Sequence, residues 1–233
     1  MPAQLTLHYV FDPLCGWCYG AEPLLRAAST RLPVVLHGGG MMAGANRQKV
    51  SAQLRDFVIP HDRRIAEYTG QPFGQGYFEG LLRDHSAVFD SQPPIAAILA
   101  AEQLSGRGLE MLARLQQAHY VEGRRIADDD VLLAVAGELG LALPAFGAAI
   151  AQIDSESHMR TSRALLASVG GQGYPTLVLE REGQLQVIDI SPFLGKPERF
   201  VQWLDREFQP SLSKTPPAAF CAQDGCDLAQ KPG

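Results

Sequence analysis

The chain reads as a helix-rich α/β (α+β) protein in which a large all-helical block interrupts one small sheet. Three observations predict this. Leu5 to Phe11 and Pro33 to His37 are short runs rich in β-branched and aromatic residues, with a helix-spaced segment between them. From Gln48 to Val169 apolar residues recur at helix-like spacing. The pattern then returns to two strands and a closing helix. The order is β-α-β, a helical block, β-β-α and a tail.

Each element has its own signal. Asp12-Pro13-Leu14 breaks the first strand, and Tyr19 to Leu32 reads as the first helix. The second strand, Pro33 to His37, runs into Gly38-Gly39-Gly40. Within the block, helices are expected over Ser51 to Thr69, Pro94 to Leu104, Leu109 to Val121, Asp128 to Leu139, Pro144 to Ile153 and Ser155 to Val169. Asp128-Asp129-Asp130 supplies an N-cap and first-turn acids for its helix. Gly170-Gly171-Gln172-Gly173 ends the block. Thr176 to Glu180 and Gln184 to Ile190 are then joined through Glu182-Gly183, which predicts an antiparallel hairpin. Pro197 to Phe208 places Phe200, Trp203 and Leu204 on one helix face, and beyond Pro210 the Ser/Pro/Ala-rich composition reads as a flexible tail.

Composition narrows the function classes. The chain has 233 residues, 46% hydrophobic and 19% charged, which suits a globular protein with a sizeable core. A net charge of -5 without a basic run argues against nucleic acid and anionic membrane as partners. No apolar stretch approaches a membrane span. Met1-Pro2-Ala3-Gln4 leads into the first strand without a charged n-region, apolar h-region or cleavage site, so the expectation is a cytoplasmic protein.

The four cysteines fall in two close pairs, Cys15/Cys18 and Cys221/Cys226. Cys15-Gly16-Trp17-Cys18 sits where a strand hands over to a helix N-terminus. Unpaired backbone N–H groups and the helix dipole stabilise a thiolate there. A disulfide exchanger needs one accessible thiolate to attack and a second thiol to resolve the mixed disulfide. Cys15, at the helix start, is the expected attacking residue, and Cys18, one turn further in, the expected resolver. Gly16 and Trp17 influence the thiolate and the approach of a partner. A zinc site completed by Cys221 and Cys226 is the competing reading, but structural zinc pairs usually lie on turns or knuckles rather than opening a long helix. No metal is therefore expected.

Other residues extend the candidate site. Asp12 could take or give the proton as thiol and thiolate interchange, or it could cap the turn formed with Pro13. His37 reads as a polar strand-end residue rather than a site group. Tyr174-Pro175-Thr176 puts proline directly before a strand, where a cis peptide bond is tolerated; the alternative is a trans proline that merely starts the strand. With the cis bond, the N–H and C=O of Tyr174 would be free to pair with an extended substrate.

Cys15-Gly16-Trp17-Cys18 after a short strand, with Gly173-Tyr174-Pro175-Thr176 far downstream, resembles the thioredoxin superfamily. The helical block points to its DsbA-like branch. Tyr9-Val10-Phe11-Asp12-Pro13-Leu14-Cys15-Gly16-Trp17-Cys18-Tyr19-Gly20 is similar to the FrnE-type predicted protein-disulfide isomerases, relatives of 2-hydroxychromene-2-carboxylate isomerase and kappa-class glutathione transferases. The resemblance covers residues 5 to 208. It implies a thioredoxin-like domain from 1–45 plus 170–210, a helical insertion domain at 46–169, and a tail at 211–233. It also implies Cys15 as nucleophile, Cys18 as resolver and Pro175 as the cis-proline opposite them. The chromene isomerases and kappa transferases place serine at the nucleophile position, so two cysteines favour redox chemistry here. The DsbA oxidants carry Pro-His between their cysteines and an export signal, and this chain carries neither.

The expected activity is thiol–disulfide exchange on protein disulfides. Cys15 and Cys18 would be catalytic, with Tyr174, Pro175 and Trp17 binding substrate. No cofactor is expected beyond glutathione or a thioredoxin-type reductant as redox partner. Cys221 and Cys226, with four residues between them, could form a second redox pair that relays electrons to the first, or be incidental tail thiols. The rival activities are a glutathione-dependent small-molecule isomerase or transferase, and a non-enzymatic redox sensor or holdase.

Overall fold

The computed structural model describes residues 5–208, so Cys221 and Cys226 lie outside the described residues. A four-stranded sheet carries strands β1 (Leu5–Phe11), β2 (Val34–Gly38), β5 (Thr176–Arg181) and β6 (Gln184–Ile188) in the order β2-β1-β5-β6. β1 pairs with β2 in parallel, through the crossover helix α1 (Gly16–Ser29), and with β5 antiparallel. β5 and β6 form the expected hairpin, turning through Glu182 and Gly183, both at positive φ. The sheet is thus mixed, and β1 at its centre delivers the chain to Asp12 and the cysteines.

Leu7, Tyr9 and Phe11 alternate along β1 and are buried in one core with Leu24, Leu25 and Ala28 of α1. α1 begins at Gly16, three residues earlier than its apolar spacing suggests, because Cys15 takes the N-cap position and places Cys18 in the first turn. Pro23 lies inside α1 and has no N–H to donate to the Tyr19 carbonyl one turn back. The Gln71 side-chain amide donates to that carbonyl instead, at 2.9 Å. This ties the inserted block to the dithiol helix.

The inserted block comprises α2 (Ala52–Thr69), α3 (Gln92–Ser105), α4 (Gly108–Tyr120), α5 (Asp129–Glu138), α6 (Leu143–Ile150) and α7 (Ser155–Ser168). Ser51 caps α2 by accepting from Leu54 N–H, and Gly70 ends it in the left-handed region at φ 76°. Asp154 caps α7 by accepting from Ser157 N–H. Asp128 occupies the cap of α5, but its side chain makes no capping bond and approaches Arg125 instead.

The block is not all helical, which corrects the sequence expectation. Gln48–Lys49 (β3) and Val88–Phe89 (β4) form a two-stranded antiparallel ribbon, and Gly76–Arg83 winds through irregular short turns. Met111, Leu112 and Leu115 of α4 and Val135 of α5 share one continuous core with the sheet and with Phe200 and Leu204 of the last helix, α8 (Pro197–Phe208). Full burial of each such side chain stabilises the fold by roughly 1.5–3 kcal/mol. α7 packs against β2. Among the described residues no helix is long and apolar enough to cross a membrane.

Candidate active site

Cys15 caps α1 with an extended backbone, so its side chain stands beside the first turn of the helix. Its thiol is 7% exposed and lies 3.5 Å from the Tyr174 carbonyl, to which it donates. Cys18 has no exposed surface. The Asp12 N–H points at its sulfur at 3.5 Å, and the Tyr9 hydroxyl donates to its carbonyl at 3.1 Å. Burial, and then the hydrogen bond shared with Cys15, push the Cys18 thiol well above its ordinary range. Both cysteines are free thiols. Cys15 thus keeps a small exposed area, while Cys18 has none and holds its proton.

Asp12 fulfils the turn-capping reading, and its charge is felt at the Cys18 thiol. It is fully buried, and its Oδ1 accepts from Leu14 N–H at 2.9 Å, which closes the turn over Pro13. The same oxygen accepts from the Ser91 hydroxyl at 2.9 Å, and Oδ2 accepts from Met41 N–H. Burial raises this carboxyl from 3.8 to about 6, against the lowering effect of its hydrogen-bond donors. A carboxyl that titrates near neutrality beside a buried thiol can exchange a proton with it.

The Tyr174–Pro175 peptide bond is cis, and both residues border a groove of about 350 Å³. Trp17, Arg64, Tyr68, Ile190, Ser191 and Leu194 complete its walls. Trp17 meets the Tyr68 ring edge-on at 6.3 Å between centroids. Trp17, Tyr174 and Pro175 thus line one groove. Arg64 and Tyr68 come from α2, far away in sequence. A larger cleft of about 910 Å³ between α1 and α4 contains neither cysteine.

Close packing fixes Gly16 and Gly39. A Cβ on Gly16 would lie 2.6 Å from Asp62 Oδ1 and 2.8 Å from Ile65 Cδ1, so α2 side chains rest directly on the first turn of α1 between the cysteines. Asp62 is a second buried carboxyl, held by the Tyr77 hydroxyl at 2.8 Å and raised to about 6 by burial. A Cβ on Gly39 would lie 2.2 Å from the Tyr174 ring. His37 is not part of this assembly. It pairs with His8 at 2.9 Å and stacks on His158, and burial lowers it to about 4. Among the described residues no group of three or more His, Cys, Asp and Glu could hold a metal ion.

The family described as DSBA-like thioredoxin domain matches residues 6–193. The chain belongs to the DSBA-like thioredoxin domain family. Within that fold it is similar to the cytosolic disulfide reductase DsbM of Pseudomonas aeruginosa. The two are 56% identical and superpose with a TM-score of 0.80 over 86% of this chain and 97% of that one. A structure of DsbM with GSH is 55% identical, with a TM-score of 0.79 over 86% and 98% of the two chains. The ClpXP adapter protein SpxH of Halalkalibacterium halodurans is 26% identical over 150 residues. That match covers 61% of this chain and 47% of SpxH, so the chain spans about half the length of this relative.

Proposed function

We propose that this DSBA-like chain is a thiol–disulfide oxidoreductase that reduces or rearranges protein disulfides in the cytoplasm, with glutathione returning the electrons. The observation that carries the reading is the layered dithiol. The Cys15 thiol donates to the carbonyl of Tyr174, a residue that borders the aromatic groove, and Cys18 is fully buried. The likeness to a protein named as a cytosolic disulfide reductase, and to its structure with GSH, supports the direction, the compartment and the reductant.

In this reading the Cys15 thiolate attacks one sulfur of a substrate disulfide. A Cys15–substrate disulfide forms, and the other substrate sulfur leaves as a thiolate and takes up a proton. The Tyr174 backbone and the Trp17 ring hold the substrate segment. Cys18 then gives its proton to the Asp12 carboxylate, and its sulfur attacks Cys15. The Cys15–Cys18 bond forms as the Cys15–substrate bond breaks, so the substrate is reduced by two electrons and the dithiol is oxidised by two. Two glutathione thiols restore the dithiol by the reverse exchange. The two thiols carry the electrons, and no bound cofactor is required.

The test is insulin-disulfide reduction with glutathione as electron source. Cys15→Ser is expected to abolish turnover, and Cys18→Ser to accumulate mixed disulfides visible by mass. Full turnover by Cys15→Ser would end this account.

A further inference from the structure

Ser91 is the first residue of the inserted block to touch the redox centre's carboxylate, and nothing about its own helix explains it. It occupies the N-cap of α3, where a serine hydroxyl ordinarily accepts from the second or third backbone N–H of the helix. Those positions are Pro93 and Pro94, which have no N–H. The remaining first-turn donor, Gln92 N–H, is taken by Asp90 Oδ1 at 2.9 Å. Ser91 therefore makes no cap bond, and its hydroxyl is free for another use.

Two contacts define that use. Met42 N–H donates to Ser91 Oγ at 3.0 Å, and Ser91 N–H donates back to the Met42 carbonyl at 3.1 Å. With the Met42 N–H on its lone pair, the hydroxyl directs its single proton to Asp12 Oδ1, 2.9 Å away. Ser91 and Asp12 are both fully buried, so water is no substitute donor. The loop that supplies Met41 and Met42 is itself held by α7: Gly38 N–H donates to His158, and Arg163 donates to the Gly39 carbonyl.

We infer that Ser91 is a positioning residue of the redox centre, which acts through Asp12 to set the protonation state available when Cys18 resolves the mixed disulfide. The inference rests on the proposed role of Asp12 as proton acceptor for Cys18. The other titratable groups facing Asp12 are Cys18 and Cys15 from α1 and Tyr174 from the loop before β5, and burial raises Tyr174 above 10.0. α7 brings two side chains to the backbone of this loop, His158, which burial lowers, and the Arg163 cation, and the start of α3 presents Ser91 to the carboxylate. The Asp12 carboxylate is the group in this set that titrates near pH 6.

The experiment isolates the resolving step. The full chain is charged at Cys15 with thionitrobenzoate, and chromophore release by Cys18 is followed against pH. The wild-type profile is expected to rise as Asp12 ionises. Ser91→Ala removes one donor to the charged carboxylate, so its midpoint moves up by about one pH unit while the alkaline plateau stays unchanged. Ser91→Thr keeps the hydroxyl and retains the wild-type midpoint. In an Asp12→Asn background, Ser91→Ala adds nothing. If Ser91→Ala lowers the plateau as much as the acid limb, or slows Asp12→Asn further, Ser91 is merely structural and the inference falls. A wild-type profile for Ser91→Ala beside an altered one for Asp12→Asn also overturns it, leaving Asp12 standing. An unaltered Asp12→Asn profile removes the Asp12 reading, and this inference with it.

Discussion

Asp12→Asn should stabilise the reduced chain more at neutral pH than in acid, and the size of the effect follows from burial. The Asp12 carboxyl is raised from 3.8 to about 6 in the folded protein, a difference of about 2 units. Each unit corresponds to roughly 1.4 kcal/mol, so about 3 kcal/mol is at stake. Because the folded value is the higher one, the folded state binds more protons between the two values, and stability falls as pH rises through that window. Below about pH 3 the carboxyl is largely protonated in both states and the penalty vanishes; above about pH 6 the folded chain carries a buried charge and the penalty is nearly complete. Asparagine is neutral throughout and escapes it. Asparagine also replaces one acceptor oxygen with an NH2, which faces Leu14 N–H and Ser91 or Met41 N–H. That loss costs about 1–3 kcal/mol but does not vary with pH. The decisive quantity is therefore the slope of the difference between variant and wild type. Urea unfolding of both reduced proteins should show the variant gaining roughly 2 kcal/mol relative to wild type between about pH 4 and pH 7. Asp62 is common to both chains and cancels. A difference that stays flat across that range would refute the buried-carboxylate reasoning.

Two further perturbations probe the groove and the tail. Gly39→Ala places a methyl where the Tyr174 ring lies, so the ring must move and disturb the residue whose carbonyl meets the Cys15 thiol. Thermal unfolding should show a loss of about 1–3 kcal/mol, and insulin reduction should drop; unchanged turnover would show that Tyr174 does not position substrate. Cys221→Ser with Cys226→Ser tests whether the second pair relays electrons. The expected result is slower reductase turnover with glutathione, and a variant matching wild type in both turnover and redox potential would end the relay idea.

Much of the fold was legible because local patterns and tertiary demands agree. β1, the hairpin about Glu182-Gly183 and the amphipathic α8 each carry a full-length signal in their own residues. The Gln48–Lys49 ribbon strand has no such signal: two polar residues show no alternation, and their pairing with Val88–Phe89 comes from the tertiary fold. At the site, Cys15, Cys18, Trp17, Tyr174 and Pro175 stood out through chemistry and spacing. Asp12 also stood out, though the sequence left it between capping and catalysis, and the structure shows its carboxylate capping the turn. Ser91, Asp62, Arg64 and Tyr68 did not, since only the docking of the inserted helices brings them to the dithiol. The one local cue was Ser91-Gln92-Pro93-Pro94, a helix start whose serine has no backbone donor to cap.

The contact of α2 with Gly16 sets a limit on how this redox centre can be retuned, by evolution or by design. Any side chain at 16 meets Asp62 and Ile65 before it can alter the thiols. The residue after the first cysteine is thus constrained by the packing of an inserted helix as well as by redox chemistry. A new residue at 16 requires the Asp62 and Ile65 side chains to give way, so positions 16, 62 and 65 are coupled across the sequence.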